Sequence, residues 1–180
     1  MSLRRLAALL LAALALVPLA ARAASAAKID ARVAGALGEL CKTSAAAKEL
    51  VGRARGALVF PRVIKGGVGI GADCGEGALE VGGQTVAYYN LASASVGLQL
   101  GVQQQSVVIL FMTDPALAKF RDSTGWKAGA DGSVAIANLG AGESIDTETA
   151  QKPIFGFVFS NKGLMYKLAL EGAKIMKLKR

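Results

Sequence analysis

The sequence reads as an α+β domain. Its centre is a glycine-rich, curved antiparallel sheet closing as a barrel or sandwich, with two N-terminal helices and one short inserted helix. Three observations carry this. Val96, Leu98, Leu100 and Val102 alternate with Ser95, Gly97, Gln99, Gly101 and Gln103, the period of a strand with one apolar face. Val107 to Met112 is apolar on both faces, as a strand covered on both sides would be. Gly66 to Gly83 is dense in glycine, whereas helical spacing of apolar residues is confined to the segment before Gly56 and a short one after Asp114.

Residues 1–23 read as a cleaved secretory signal peptide, with the boundary at 23–26. Arg4 and Arg5 precede an apolar run from Leu6 to Val17. Pro18 breaks the run, and Ala21-Arg22-Ala23 and Ala24-Ser25-Ala26 both offer A-x-A cleavage sites. The run is shorter than the roughly 20 residues a bilayer-spanning helix needs. Arg4-Arg5 also admits a twin-arginine signal; ordinary Sec export is the expectation. Residues 27–180 are then one domain.

Ile29, Val33, Leu37 and Leu40 form one apolar stripe of a first helix. Thr43 or Ser44 caps a second, whose stripe is Ala47, Leu50, Val51 and Ala54 and which Gly56 is placed to end. Ala57 to Phe60 is a short strand stopped by Pro61. VGIGA, GALEV and QTVAYY come next as successive antiparallel strands, with Gly82-Gly83 as a two-residue hairpin turn. Two uses are open to the glycines: tight turns and curvature, or room for a ligand. Asp114 as N-cap and Pro115 open a short helix held to the sheet by Leu117 and Phe120. WKAGA and SVAIA flank Asp131-Gly132, a second hairpin signal, and Gly140 to Gln151 reads as a loop. Ile154 to Phe159 and Leu164 to Leu170 are strands. The alternating basic tail from Lys174 either extends the last strand or frays.

The chain has no histidine, which removes Ser-His-Asp and Cys-His catalysis and the commonest zinc ligand. Gly67 to Ala72 fits G-x-G-x-x-A, but Asp73-Cys74-Gly75-Glu76-Gly77 stands where a dinucleotide site needs a helix. Glu143, Asp146 and Glu148 are either weak Ca²⁺ ligands or a solvated acidic loop, and Asp73, Glu76 and Glu80 bracket a turn with the same two readings. No catalytic residue, metal or cofactor is assigned. Cys41 and Cys74 are a disulfide candidate, because an exported chain meets an oxidising space; such a bridge would contribute about 3 to 4 kcal/mol. Two separate thiols are the other reading.

Charge is the remaining signal. The formal net charge is +8, and loss of residues 1–23 with Arg4, Arg5 and Arg22 would leave +5. Lys48, Arg53, Arg55, Arg62 and Lys65 come early, and Lys174, Lys177, Lys179 and Arg180 come late. Cations beside apolar residues suit an anionic headgroup above acyl chains, at about 1 kcal/mol per residue near the surface. Solvated charge that keeps an apolar-rich chain soluble is the competing account. Export argues against nucleic acid as the partner.

The segment YYNLASASVGLQLGVQ, Tyr88 to Gln103, resembles the signature segment of the SYLF family, the lipid-binding domain also known from Ysc84-type actin-binding proteins. Ala57 to Leu79, Phe111 to Trp126 and Gly156 to Ile175 resemble further family segments in the same order, so the likeness runs from Lys48 to Ile175. The resemblance implies a non-enzymatic domain that binds anionic phospholipid, phosphoinositides in eukaryotic relatives, or a membrane surface. Its expected headgroup residues are Lys48, Arg53, Arg55, Arg62, Lys65, Lys174 and Lys177. A protein-interaction or structural envelope module is the alternative, with actin binding in the Ysc84 branch. The expected location is the periplasm or cell envelope, with secretion as a further possibility.

Overall fold

The structure, a computed structural model, describes residues 26–138, 152–159, 170 and 172–179; for 67–70, 95–102 and 136–138 it describes the backbone. The signal segment, the 140–151 loop and all but Leu170 of the strand expected over 164–170 lie outside the described residues.

Two helices lead. The first, α1, covers residues 26–43 and buries Ile29, Val33, Ala36 and Leu40 along one face. The second, α2 (Ala45–Arg53), is capped by Ser44, whose hydroxyl accepts the Ala47 N–H at 3.1 Å. Its end differs from expectation. Ala54 is the C-cap in extended backbone, and Gly56 already begins the first strand, where a side chain would strike Leu117.

Two long strands form the centre of the domain. β1 (Gly56–Val81) has 26 residues and β2 (Gln84–Phe111) has 28. They pair antiparallel from the Gly82-Gly83 turn to their far ends. Both turn glycines have positive φ, 60° and 77°, as a two-residue hairpin requires. VGIGA and GALEV are thus one strand and not two. Register shifts at Phe60/Val63, Val68/Ile70 and Leu79/Glu80 absorb the irregularities. Pro61 falls in the first of these, so its missing N–H breaks no ladder bond and the strand runs through it.

A strand of 28 residues would extend roughly 90 Å, whereas a domain of this size has a radius of gyration of about 15 Å. The hairpin therefore folds back on itself. A side chain at Gly75 would come within 2.7 Å of Arg62 O and 3.0 Å of Val63 Cγ2; one at Gly77 would collide with Val59 O and reach 2.7 Å from Phe60 Cδ1. The absence of a Cβ at these two positions lets the second half of β1 lie against the first.

The other elements attach to β2. The helix α3 (Asp114–Asp122) comes directly after it, capped by Thr113 one residue before the expected Asp114. β3 (Trp126–Lys127), β4 (Ala135–Asn138), β5 (Ile154–Phe159) and β6 (Lys174–Leu178) complete a curled, half-barrel sheet. Its order is β3-β6-β2-β5-β4, with β1 on β2. β6 pairs with residues 88–92 of β2 and β5 with residues 106–111. The basic tail is therefore a sheet strand. Pairing is antiparallel apart from β4 with β5, which is parallel.

Asp131-Gly132 does not join a hairpin, since β3 and β4 lie at opposite ends of the sheet. The Asp131 carboxylate accepts the Lys127 N–H at 2.6 Å and the positive φ falls on Gly129, closing a compact turn from which the chain leaves. Gly132 is small because Trp126 and Ile154 pack on it.

The sheet is apolar on both faces. Val59, Val108, Leu110, Phe155 and Phe157 pack under α1 and α2. Leu58, Val107, Ile109 and Phe111 face the other way, into a core closed by α3. Phe120 anchors α3 there, its ring centroid 4.8 Å from Phe111, 5.0 Å from Tyr89 and 5.7 Å from Trp126.

Gly77→Ala is expected to destabilise the protein by about 3 kcal/mol, because the obstacle is rigid backbone. Gly82→Ala, where nothing lies within 4 Å, carries only the positive-φ penalty of about 1 kcal/mol. Urea denaturation of the two variants checks the order.

Candidate functional site

The residues expected to meet an anionic headgroup are divided among separate parts of the surface. Lys48 and Arg53 are exposed on α2, with Arg53 Nη1 3.4 Å from Glu49 Oε1. Arg55 donates its backbone N–H to Phe111 O, and its Nε is 3.6 Å from Asp114 Oδ2 at the start of α3. Exposed pairs like these contribute little energy and leave little net charge for a ligand.

Arg62 stands on the bulged part of β1. With Pro61, Gln104 and the Arg32 and Glu39 side chains of α1, it lines a groove of ≈ 410 Å³. Lys65, half-buried, pairs in register with Gln103.

The last group is on β6. Lys177 pairs in register with Tyr89, and Lys174 with Ala92 of β2 and Lys127 of β3. Lys177 and Lys179 line a groove of ≈ 840 Å³ together with Arg121, Asp122 and Thr124 from the end of α3. A second groove of ≈ 510 Å³ adjoins it, sharing Asp122, Ser123 and Thr124 and adding Lys119 and Asp131. Burial pushes the Tyr89 phenol up, while the nearby positive charge of Arg121 opposes the shift. Arg121 thus lies at the margin of the core, above the β2–β6 pair.

The structure therefore brings Lys177 together with Lys179 and Arg121, and leaves Lys48, Arg53, Arg55, Arg62 and Lys65 outside that groove. Arg121 is absent from the expected set. Its one local signal is a basic residue in the last turn of a short helix, the end that favours cations.

Residues 92–180 match the family model Ysc84, described as Las17-binding protein actin regulator. Residues 92–180 are a Ysc84-family segment. No curated protein matches it. The Ysc84 match spans most of β2 and all later elements, including both walls of the ≈ 840 Å³ groove.

Three carboxylates sit close to or on the hairpin, all before the matched residues. Asp30 of α1 accepts hydrogen bonds from the Thr85 hydroxyl at 3.0 Å and from the Tyr88 hydroxyl at 2.9 and 3.1 Å, fastening α1 to β2. Glu80 pairs in register with Thr85, and its carboxyl is raised above the usual range, first by burial and then by the charge of Asp30. Asp73 is buried, with one oxygen accepting from the Ser93 hydroxyl at 2.9 Å and Oδ1 unpartnered. Asp73, Glu76 and Glu80 lie along one strand and bracket no turn. Glu143, Asp146 and Glu148 lie outside the described residues. Among the described residues no group of three or more acidic or cysteine side chains is placed to hold a metal ion.

Cys41 and Cys74, the disulfide candidate, are both free in this structure. Cys41 sits in the last turn of α1, half-buried, while Cys74 projects exposed from β1.

Removing the Asp30 carboxylate (Asp30→Ala) takes the acceptor from Thr85 and Tyr88 and is expected to cost about 2 kcal/mol in urea denaturation. Glu80 binds its proton more tightly in the native state than in the unfolded chain. Its ionised form therefore opposes folding above the raised pKa, and that penalty fades as pH falls toward 4.5. Glu80→Gln should stabilise the protein at neutral pH by roughly half a kcal/mol, given its exposure. The gain should disappear in acid, and stability measured against pH reads both.

Proposed function

We propose that this chain is an exported, non-enzymatic domain that binds anionic phospholipid at a membrane surface. One observation carries the reading: Lys48, Arg62, Arg121, Lys174, Lys177 and Lys179 stand exposed, and among the described residues none is in an ion pair. Exposed cations free of carboxylate partners are attracted to a negatively charged bilayer and released by salt. The lack of any histidine and the signal-like start of the chain fit an exported binding protein. No helix among the described residues is long and apolar enough to cross a membrane, so attachment through charge suits the described fold. The phosphoinositide preference of SYLF relatives names the lipid class against which to compare ordinary anionic lipids.

A second reading rests on the family description, an actin regulator that binds the protein Las17. On that reading the domain is a protein-docking module, and a partner would be recovered from envelope extracts in the absence of lipid.

Cosedimentation of the protein with phosphatidylglycerol-containing vesicles, and its loss as salt is raised, is the expected outcome. Equal binding to pure phosphatidylcholine vesicles, insensitive to salt, would count against the headgroup reading.

A further inference from the structure

The proposed lipid reading leaves open which face meets the membrane, and the choice of face rests on that reading. We propose that the domain docks edge-on through the corner where β2 begins and β6 ends, with Arg121, Lys177 and Lys179 holding the lipid phosphates.

Charge separates this corner from the other basic places. On α2, Arg53 is held by Glu49, and Arg55 nearby by Asp114. The groove between α1 and β1 is lined by two cations, Arg32 and Arg62, with the carboxylate of Glu39, and it is about half the size of the corner groove. At the corner three cations share a lining with the single carboxylate of Asp122, and among the described residues none of the three is in an ion pair. The ≈ 840 Å³ groove is also the roomiest of the three described, large enough for a headgroup and not just a lone anion.

Apolar chemistry at the same corner decides the orientation. Tyr89 and Leu91 share the α3-side core with Ile175, so their register places Lys177 on that face. Tyr88 bonds to Asp30 of α1, so Leu178, its register partner, lies on the opposite face, and Val86 stands at the register shift between Thr85 and Ala87, at the start of β2. Val86 is 47% exposed, the exposed large hydrophobic side chain among the described residues. The corner thus offers cations on the α3 side, half-buried Leu178 on the other, and exposed Val86 beside them at the start of β2. That arrangement lets an apolar edge enter the headgroup layer while long cationic side chains reach the phosphates. Arg121 is held in place by its neighbour Phe120, packed on Tyr89.

The test compares matched charge removals in the full domain on phosphatidylglycerol/phosphatidylcholine vesicles. Arg121→Ala/Lys177→Ala should lower partitioning roughly thirtyfold, and Arg32→Ala/Lys42→Ala, both exposed on α1 and outside the corner groove, by less than about threefold. Val86→Ser should weaken binding several-fold without changing its salt dependence. All changed residues but Val86 are exposed charges, and far-ultraviolet circular dichroism with a melting curve verifies that each variant is folded. Equal losses from the two double variants would overturn the corner while leaving lipid binding intact, as would a Val86→Ser variant indistinguishable from the parent. Failure of the parent protein itself to bind these vesicles would sink the corner and the lipid reading together.

Discussion

The seating of Gly75 and Gly77 against the backbone of residues 59–63 is the contact on which the architecture depends. Two strands of 26 and 28 residues cannot fit a domain of this size unless their hairpin doubles over. Doubling needs a place where one stretch of backbone can rest on another, and any side chain at Gly77 would block it. Once folded, the hairpin has two apolar faces. One is shielded by α1 and α2, the other by α3 and the short strands, so most of its described large apolar residues become buried. Two clusters of buried side chains on either side of one sheet form a larger core than a flat hairpin could support.

The same folding sets the distribution of charge. α3 leaves β2 at Phe111 and ends beside Tyr89, near the other end of the same strand, which is how Arg121 reaches Lys177. Asp30 fixes α1 over that region through Thr85 and Tyr88, and its charge disfavours ionised Glu80. Acidic groups are thus used on the α1 side to fasten a helix, and the cations of the corner project from the α3 side. Two faces of one sheet corner carry opposite electrostatics because different elements cover them.

Much of this is legible in the sequence where the cause is local. Residues 107–112 read as a doubly covered strand, and their alternate residues do enter the two opposite clusters. Gly82-Gly83 reads as a hairpin turn, Ser44 as a possible cap, and Leu117 and Phe120 as the buried side of a short helix, each set by neighbours a few residues away. The misreadings share a non-local cause. Gly75 looks like punctuation between VGIGA and GALEV, and Gly77 like the start of the latter, but both are small because residues 59–63 lie against them. Gly56 and Gly132 resemble a helix stop and a turn, but their respective neighbours Leu117 and Ile154 are distant in sequence. Position along the chain groups Lys48 with Arg62 and Lys174 with Lys177, whereas the packing of α3 on β2, together with the β2–β6 pairing, groups Arg121 with Lys177 and separates Lys177 from Lys48 and Arg62. No sequence spacing reports that pairing.

The doubled hairpin is open to a direct reading by nuclear Overhauser spectroscopy of methyl-labelled protein. The α protons of Gly75 should show strong cross-peaks to the Val63 methyls, since a Cβ at Gly75 would lie only 3.0 Å from Val63 Cγ2. A spectrum with the β1–β2 ladder intact but no Gly75–Val63 cross-peak would mean that the hairpin runs straight, and the two-sided core, the basic corner and its separation from the acidic face would fail with it.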